Sequence, residues 1–245
     1  MMRTLRHDAV ACWELIDDRD PLLLKVRSLY ETALDREERI PWAWLERAIG
    51  SQADWKPGQT RRHLVVASQP DGELGGFAFA MHLPGFGGYI AYIAVDPDFR
   101  GAGIGRRLFE RCFSVLKHDA TRSGEALPFV LWESHRSDGD EDLWNARMKL
   151  FDRVGGYRID GLTLHSPNWL DDTAPAVPMQ LFVAPMALPR EAFDSAMLND
   201  VADRFLRRIY HSAPGDAEYD ASMPPTMASL AFVSARVVEA RSTSR

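Results

Sequence analysis

The chain has 245 residues, 46% hydrophobic and 26% charged, with a net charge of −6, which suits a globular protein of one large or two small domains and disfavours nucleic acid as the main partner. Two cysteines, Cys12 and Cys112, and seven histidines without paired ligand spacing exclude a disulfide framework and leave no metal set, no Cys-x-x-Cys and no His-Glu-x-x-His. Met1 to Asp8 lacks an apolar signal core and no apolar run approaches the ~18 residues of a membrane span, so a cytoplasmic protein away from membranes is expected.

Ala9 to Ile16 reads as a first strand. Asp20 can cap a helix that Pro21 opens, and Leu22, Leu23, Val26, Leu29, Tyr30 and Leu34 give it an apolar face. Glu37 to Pro41 interrupts the chain before a short helix from Trp42 to Ile49. Arg62 to Ser68 and Leu74 to Leu83 read as a hairpin about the Gln69-Pro70-Asp71-Gly72-Glu73 turn. Pro84 to Gly88 reads as a flexible loop before a strand from Tyr89 to Val95. Leu127 to Glu133 is a further strand; a helical crossover joins it to the Tyr89 strand, so the two should run parallel. Leu143 to Val154 is a helix stopped by Gly155-Gly156. Tyr157 to Leu164 and Pro178 to Val183 read as the last two strands, separated by a long loop from Ser166 to Val177. Glu191 to Tyr210 is an amphipathic helix with Phe193, Met197, Val201, Phe205 and Ile209 at steps of four. Ser229 to Val238 fits a short strand or helix, and Glu239 to Arg245 a frayed end.

The most informative stretch is Arg100-Gly101-Ala102-Gly103-Ile104-Gly105, which follows the Tyr89 strand and Asp96-Pro97 and opens a helix with Ile104, Leu108, Cys112 and Val115 on one face. The first N–H groups of a helix lack internal partners and carry the positive end of its dipole, so glycines there let an anion such as a phosphate approach, with Arg100 and Arg106 adding charge. The glycine spacing departs from the dinucleotide fingerprint, and the Gly-Lys-Ser/Thr of a P-loop is missing. A nucleotide-binding α/β protein that takes NAD or ATP is the weakest reading of the turn.

The string resembles the acetyl-CoA signature of the GNAT superfamily of N-acetyltransferases, Arg/Gln-x-x-Gly-x-Gly/Ala, met here by Arg100, Gly103 and Gly105, with Ile93-Ala94-Val95-Asp96-Pro97 before it and Arg106-Arg107-Leu108 after it. The resemblance spans about residues 8 to 190. It implies an α/β (mixed α+β) fold, with a central mixed, largely antiparallel sheet, a splayed parallel strand pair and helices on both faces. Residues 1–190 would form this domain, and 191–245 a C-terminal helical extension and tail packed on it. It implies transfer of an acetyl group from acetyl-CoA to a primary amine, with a small-molecule acceptor expected ahead of a peptide or protein amine, and a homodimer. By resemblance, acetyl-CoA would be held by Ile93, Ala94, Val95, Arg100, Gly101, Ala102, Gly103, Ile104, Gly105 and Arg106, and Trp42, Trp44 and Trp55 would be acceptor-pocket candidates.

The amine must lose a proton before it attacks a thioester. Glu133, ending its strand, is the candidate base, with His135 beside it; Glu37 and Glu38 are candidates for recognising a cationic acceptor. Many family members protonate the leaving thiolate with a tyrosine in a pattern like Phe-Tyr-x-x-x-Gly-Phe. Here Leu150-Phe151-Asp152-Arg153-Val154-Gly155-Gly156-Tyr157 puts Phe151 at the tyrosine place and adds a glycine. Tyr92 is the substitute candidate. The absence of that tyrosine also motivates a second reading, a non-catalytic acyl-CoA-binding sensor or interaction module.

Overall fold

The computed structural model describes residues 10–50, 54–68, 72–136, 141–223 and 230–235, and the chain forms two compact units, Met1–Leu127 and Pro128–Arg245.

The first unit runs β1 (Ala11–Leu15), α1 (Leu22–Ala33), α2 (Trp42–Gly50), β2 (Arg61–Ser68), β3 (Leu74–Leu83), β4 (Gly87–Val95) and α3 (Ile104–Arg122). Its strands pair in chain order, each antiparallel to the next. Pairing of sequential strands needs only short connections, which is why the hairpin was legible locally. Asp20 serves α1 as expected, its side chain accepting from the Leu22 N–H at 2.8 Å. Pro84–Gly88 is not a flexible loop. Phe86 is buried, its N–H donates to the Leu83 carbonyl at 3.0 Å, and β4 starts at Gly87. A proline and a glycine with φ of 65° close the turn tightly. Of the turn expected between β2 and β3, residues 69–71 lie outside the described residues, and Gly72 has the positive φ such a turn requires, 79°.

Strand alternation sends β3 side chains to opposite faces. Phe77 and Phe79 join Leu23, Val26, Leu29 and Tyr30 of α1 and Leu45 and Ile49 of α2 in one core. The other face is small near α3, with Gly76, Ala78 and Ala80: a Cβ on Gly76 would lie 2.6 Å from the Ala94 carbonyl oxygen, 3.2 Å from Leu108 and 3.3 Å from Ile104. A Cβ on Gly75 would lie 2.7 Å from Ile104. Glycine in β3 is therefore what lets α3 sit close on the sheet.

The second unit contains β5 (Phe129–Ser134), α4 (Glu141–Arg153), β6 (Tyr157–Asp160), β7 (Leu164–Ser166), β8 (Val177–Pro185), α5 (Ser195–Phe205), α6 (Ala217–Ser222) and β9 (Ala231–Ser234). Strand β8 is central, antiparallel to β5 on one side and to β6 and β7 on the other. The expected single strand from Tyr157 to Leu164 is thus two, divided around Gly161, whose φ is 84°. The expected last strand is also not the last, because β9 pairs antiparallel with β6. The expected helix from Glu191 to Tyr210 is shorter and compound: a 3-10 turn at Arg190–Ala192, then α5, capped by Asp194 accepting from the Met197 N–H, then a π-helical turn at Leu206–Tyr210. Of the step-of-four row, Phe193, Val201 and Phe205 are buried as expected, Met197 and Ile209 are half-buried, and Leu198 and Ala202 complete the buried face of α5. The frayed end expected from Glu239 lies outside the described residues.

Buried in the first unit is an ionic cluster that the sequence did not announce. The two ring nitrogens of His63, Nδ1 and Nε2, face Glu14 Oε1 at 2.8 Å and Asp119 Oδ2 at 2.6 Å, and Arg61 reaches Asp119 at 3.0 Å. His63 and Asp119 are buried. With a carboxylate at each nitrogen, both nitrogens must donate, so the ring is an imidazolium. Burial pushes the His63 value down, but the bonds to Asp119 and Glu14 outweigh it and leave it raised above 6.5. Burial likewise pushes the carboxylates up, but the bond to His63 holds Glu14 below 4.5 and Asp119 below 3.8. A raised histidine stabilises fully below its unfolded value and loses this as pH rises through its folded value. The lowered carboxylates stabilise above their unfolded values and lose this as pH falls. The cluster's contribution is therefore complete between about pH 4.5 and 6.5. Thermal melts across pH should show stability declining above that window, and His63→Gln should remove this alkaline decline while costing about 3 kcal/mol within the window.

Candidate active site

The chain between β4 and α3 makes two sharp steps. Asp96 caps a 3-10 turn at Pro97–Phe99, its carboxylate accepting from the Asp98 N–H at 2.9 Å. Gly101 and Gly103 then take φ of 82° and 78°, Gly103 standing at the N-cap of α3. Among the described residues, no atom beyond the chain neighbours lies within 4 Å of where a Cβ would sit on either glycine. These conformations favour glycine, and the space in front of them is open. The first N–H groups of α3, a 19-residue helix, have no intrahelical acceptor. Ala102 and Ile104 are buried and hold the turn down, while Arg100, Gly101, Gly103 and Arg106 are exposed. Arg106 is paired with Glu110 at 2.7 Å, so Arg100 is the arginine better placed to meet an incoming anion. Open glycines, a helix N-terminus and an exposed cation fit the diphosphate of a coenzyme A ester.

Strand β4 approaches this turn with a bulge. Phe79 pairs with Tyr92 and Ala80 with Ile90, which leaves Ala91 as the extra residue. Beyond it, Ile93, Ala94 and Val95 pair with Ala78, Phe77 and Gly76. Tyr92 stands on Tyr30 edge-on, with ring centroids 5.2 Å apart. Its hydroxyl donates to the Glu38 carbonyl at 3.1 Å and accepts from the Ile40 N–H at 3.1 Å. Tyr30 donates to the Ile40 carbonyl at 2.9 Å, and burial pushes the Tyr30 hydroxyl up to about 12. Two tyrosines thus tie the link between α1 and α2 to the sheet. Glu37 and Glu38 lie in that link, in a 3-10 turn.

The three tryptophans have different surroundings. Trp42 packs on Tyr30, with centroids 5.6 Å apart. Trp44 is 43% exposed. Trp55 lies against the guanidinium groups of Arg61 and Arg122, at 5.0 and 4.9 Å, and donates to the Gln59 carbonyl at 2.9 Å.

In the second unit, β5 alternation puts Trp132 and Glu133 on opposite faces. On the Trp132 face, Phe151 of α4 is buried against Trp132 and Phe182, with centroids 5.4 and 4.8 Å away. The extra glycine has a physical account. Gly155, with φ of 79°, ends α4, and the Gly155 and Gly156 N–H groups donate to the Asp152 and Phe151 carbonyls. A Cβ on Gly156 would lie 2.5 Å from the Trp132 ring. Glu133, half-buried, accepts a hydrogen bond from the Tyr210 hydroxyl. His135 Nδ1 lies 2.8 Å from the Pro178 carbonyl oxygen, to which it donates, and Arg147 holds the His135 carbonyl at 3.0 Å. Tyr210, the phenol on Glu133, is a partner that sequence reasoning missed.

Residues 25–126 match the acetyltransferase (GNAT) family. The N-alpha-acetyltransferase RimI of Mycobacterium tuberculosis is 32% identical over 143 residues, 53% of this chain and 84% of that protein. The chain belongs to the GNAT family. Among solved structures, a GNAT-family protein from Bacteroides thetaiotaomicron superposes with a TM-score of 0.58 at 15% identity, over 82% of this chain and 99% of that one. An IAA acetyltransferase from Bacillus cereus ATCC 14579 superposes with a TM-score of 0.50, also at 15% identity, over 73% of this chain and 100% of that one. These similarities show the GNAT fold, a mixed α/β arrangement with a largely antiparallel sheet. The protein is an acetyl-CoA-dependent N-acetyltransferase. Among the described residues, no helix is long and apolar enough to cross a membrane, and no group of three or more His, Cys, Asp or Glu side chains could hold a metal ion.

At saturating acetyl-CoA, about 100 times its Kd, the melt should be stabilised by roughly 2.7 kcal/mol. Gly103→Val, which both strains the positive φ and fills the open space, should abolish that shift while NAD and ATP give none in either protein. A wild-type melt indifferent to acetyl-CoA and CoA would refute the coenzyme assignment of the turn.

Proposed function

We propose that this GNAT enzyme acetylates the α-amine of a polypeptide, with acetyl-CoA held by Ile93 to Val95 and by the turn from Arg100 to Arg106, and with Glu133 as the base. The observation that carries the donor half is the pair of open, positive-φ glycines at the N-terminus of α3. The acceptor half is supported by the similarity to an N-alpha-acetyltransferase that this chain covers over 84% of its length.

The chemistry follows from the groups present. A carboxylate takes one proton from the acceptor ammonium. The free amine attacks the thioester carbonyl carbon, and an N–H of β4 near the bulge stabilises the oxyanion. The nitrogen, cationic after the attack, loses its second proton to water, and collapse then breaks the C–S bond, forms the amide and releases the sulfur as thiolate, which takes a proton from water. Phe151 has no proton to give the departing sulfur. A thiol, with an ordinary pKa of about 8.5, leaves as thiolate far more readily than a neutral amine leaves as amide anion, so the step proceeds without a strong acid. The Tyr92 hydroxyl proton is directed at the Glu38 carbonyl, which supports Tyr92 as an anchor of the link between α1 and α2.

Thiol release should be measured with hexapeptides bearing free alanyl, glycyl or seryl N-termini, with the same peptides N-acetylated, and with spermidine and an aminoglycoside. Turnover should appear with free peptide N-termini and vanish on N-acetylation. Turnover restricted to the small amines would return the acceptor to the small-molecule class. Glu133→Gln should lower kcat by ~100-fold or more, whereas Tyr92→Phe should raise the acceptor KM and lower the melting temperature. A Tyr92→Phe loss confined to kcat would instead make Tyr92 the acid.

A further inference from the structure

The second unit carries a device that the family motif does not contain. Tyr210 ends the π-helical turn Leu206–Tyr210 and is 4% exposed. Its ring meets Phe205 edge-on, with centroids 5.3 Å apart, and its hydroxyl donates to Glu133 Oε2. Ordinary helical geometry would put residue 209 beneath Phe205. The π turn advances the chain by one more residue, so Tyr210 takes that place and Ile209 is left half-buried. The turn ends at His211 in the left-handed region, φ 56° and ψ 29°, the sole non-glycine residue with positive φ among the described residues. The Ser212 N–H then closes back on the Leu206 carbonyl at 3.1 Å. A π turn and a left-handed non-glycine residue both cost free energy, and such features persist where the surrounding structure makes use of them.

We infer that Tyr210 is a positioning residue for acyl transfer, its hydroxyl fixing the Glu133 carboxylate in the orientation from which it takes the acceptor's proton. The inference rests on the reading of Glu133 as the base. Three observations converge on it: a buried phenol, a carboxylate that accepts its proton, and a backbone irregularity that brings residue 210 rather than 209 to the sheet. A hydrogen bond to an ionised carboxylate is among the stronger kinds, and losing it frees the side chain to sample unproductive rotamers. The device uses residues that lie outside the 25–126 family match.

Tyr210→Phe removes only the hydroxyl and keeps the ring on Phe205. With an alanyl hexapeptide as acceptor, and well below each variant's melting temperature, kcat should fall about 10-fold, with the KM for acetyl-CoA and peptide unchanged. In a Glu133→Gln background the same substitution should change kcat no further, because there is no carboxylate left to position. An equal loss in both backgrounds, or a loss carried by the melting temperature and both KM values, would show a structural role and overturn the inference. Wild-type kcat in Tyr210→Phe with an impaired Glu133→Gln would sink the positioning role alone. Wild-type kcat in Glu133→Gln would sink the base assignment and the positioning role with it. A readout free of any acceptor comes from carboxyl 13C NMR of the full chain. The Glu133 resonance, identified by its loss in Glu133→Gln, should move in Tyr210→Phe, and an unmoved resonance would overturn the inference.

Discussion

Everything the first unit presents to a ligand depends on how closely α3 can approach β3. The approach is possible because Gly75 and Gly76 put no side chain between them: Ile104, the first residue of the helix, occupies the space a Cβ on Gly75 would need. The residue that starts the helix is therefore also the residue that seats it. Its unpaired amides are aimed by packing and not only by the turn that precedes them. A bulky residue in β3 would lift the end of α3 and move the amides, although it would touch no ligand.

The glycine turn was legible in the sequence because its causes are local. A strand, a proline stop, alternating glycines and an amphipathic helix lie within a few dozen consecutive residues, and each leaves its own mark on composition or period. The His63 cluster was not legible. Its members are 49 and 56 residues apart in sequence, and a charged residue on a strand has the same spelling whether it faces solvent or two carboxylates. The row at steps of four after Glu191 held at Phe193, Val201 and Phe205 but failed at Ile209 for a definite reason. It assumed one uninterrupted α-helix, and the π turn breaks that periodicity just where Tyr210 is brought to β5. Propensity carries no signal for such a turn, and the partner it serves, Glu133, is 77 residues away.

Phe151 marks how the second unit divides its labour. On one face of β5, Trp132, Phe151 and Phe182 form an aromatic block. On the other, Glu133 meets the only phenol the extension brings to it among the described residues. A hydroxyl at 151 would have to find a partner amid those rings or go unsatisfied. Packing thus favours the phenylalanine that the family pattern does not expect, and the polar work falls to the opposite face.

Strand β9 has a consequence for how the protein is made. It pairs with β6, joining Tyr157 to Ser234 and Asp160 to Ala231, yet it leaves the ribosome after every other described strand and helix. The first unit pairs sequential strands and can assemble early in synthesis. The second must keep the outer edge of β6 unpaired until β9 emerges. During that interval the strand edge is unprotected, and the loop to be closed is long. Vectorial synthesis thus makes β9 the strand whose arrival ends the period of greatest exposure to misassembly.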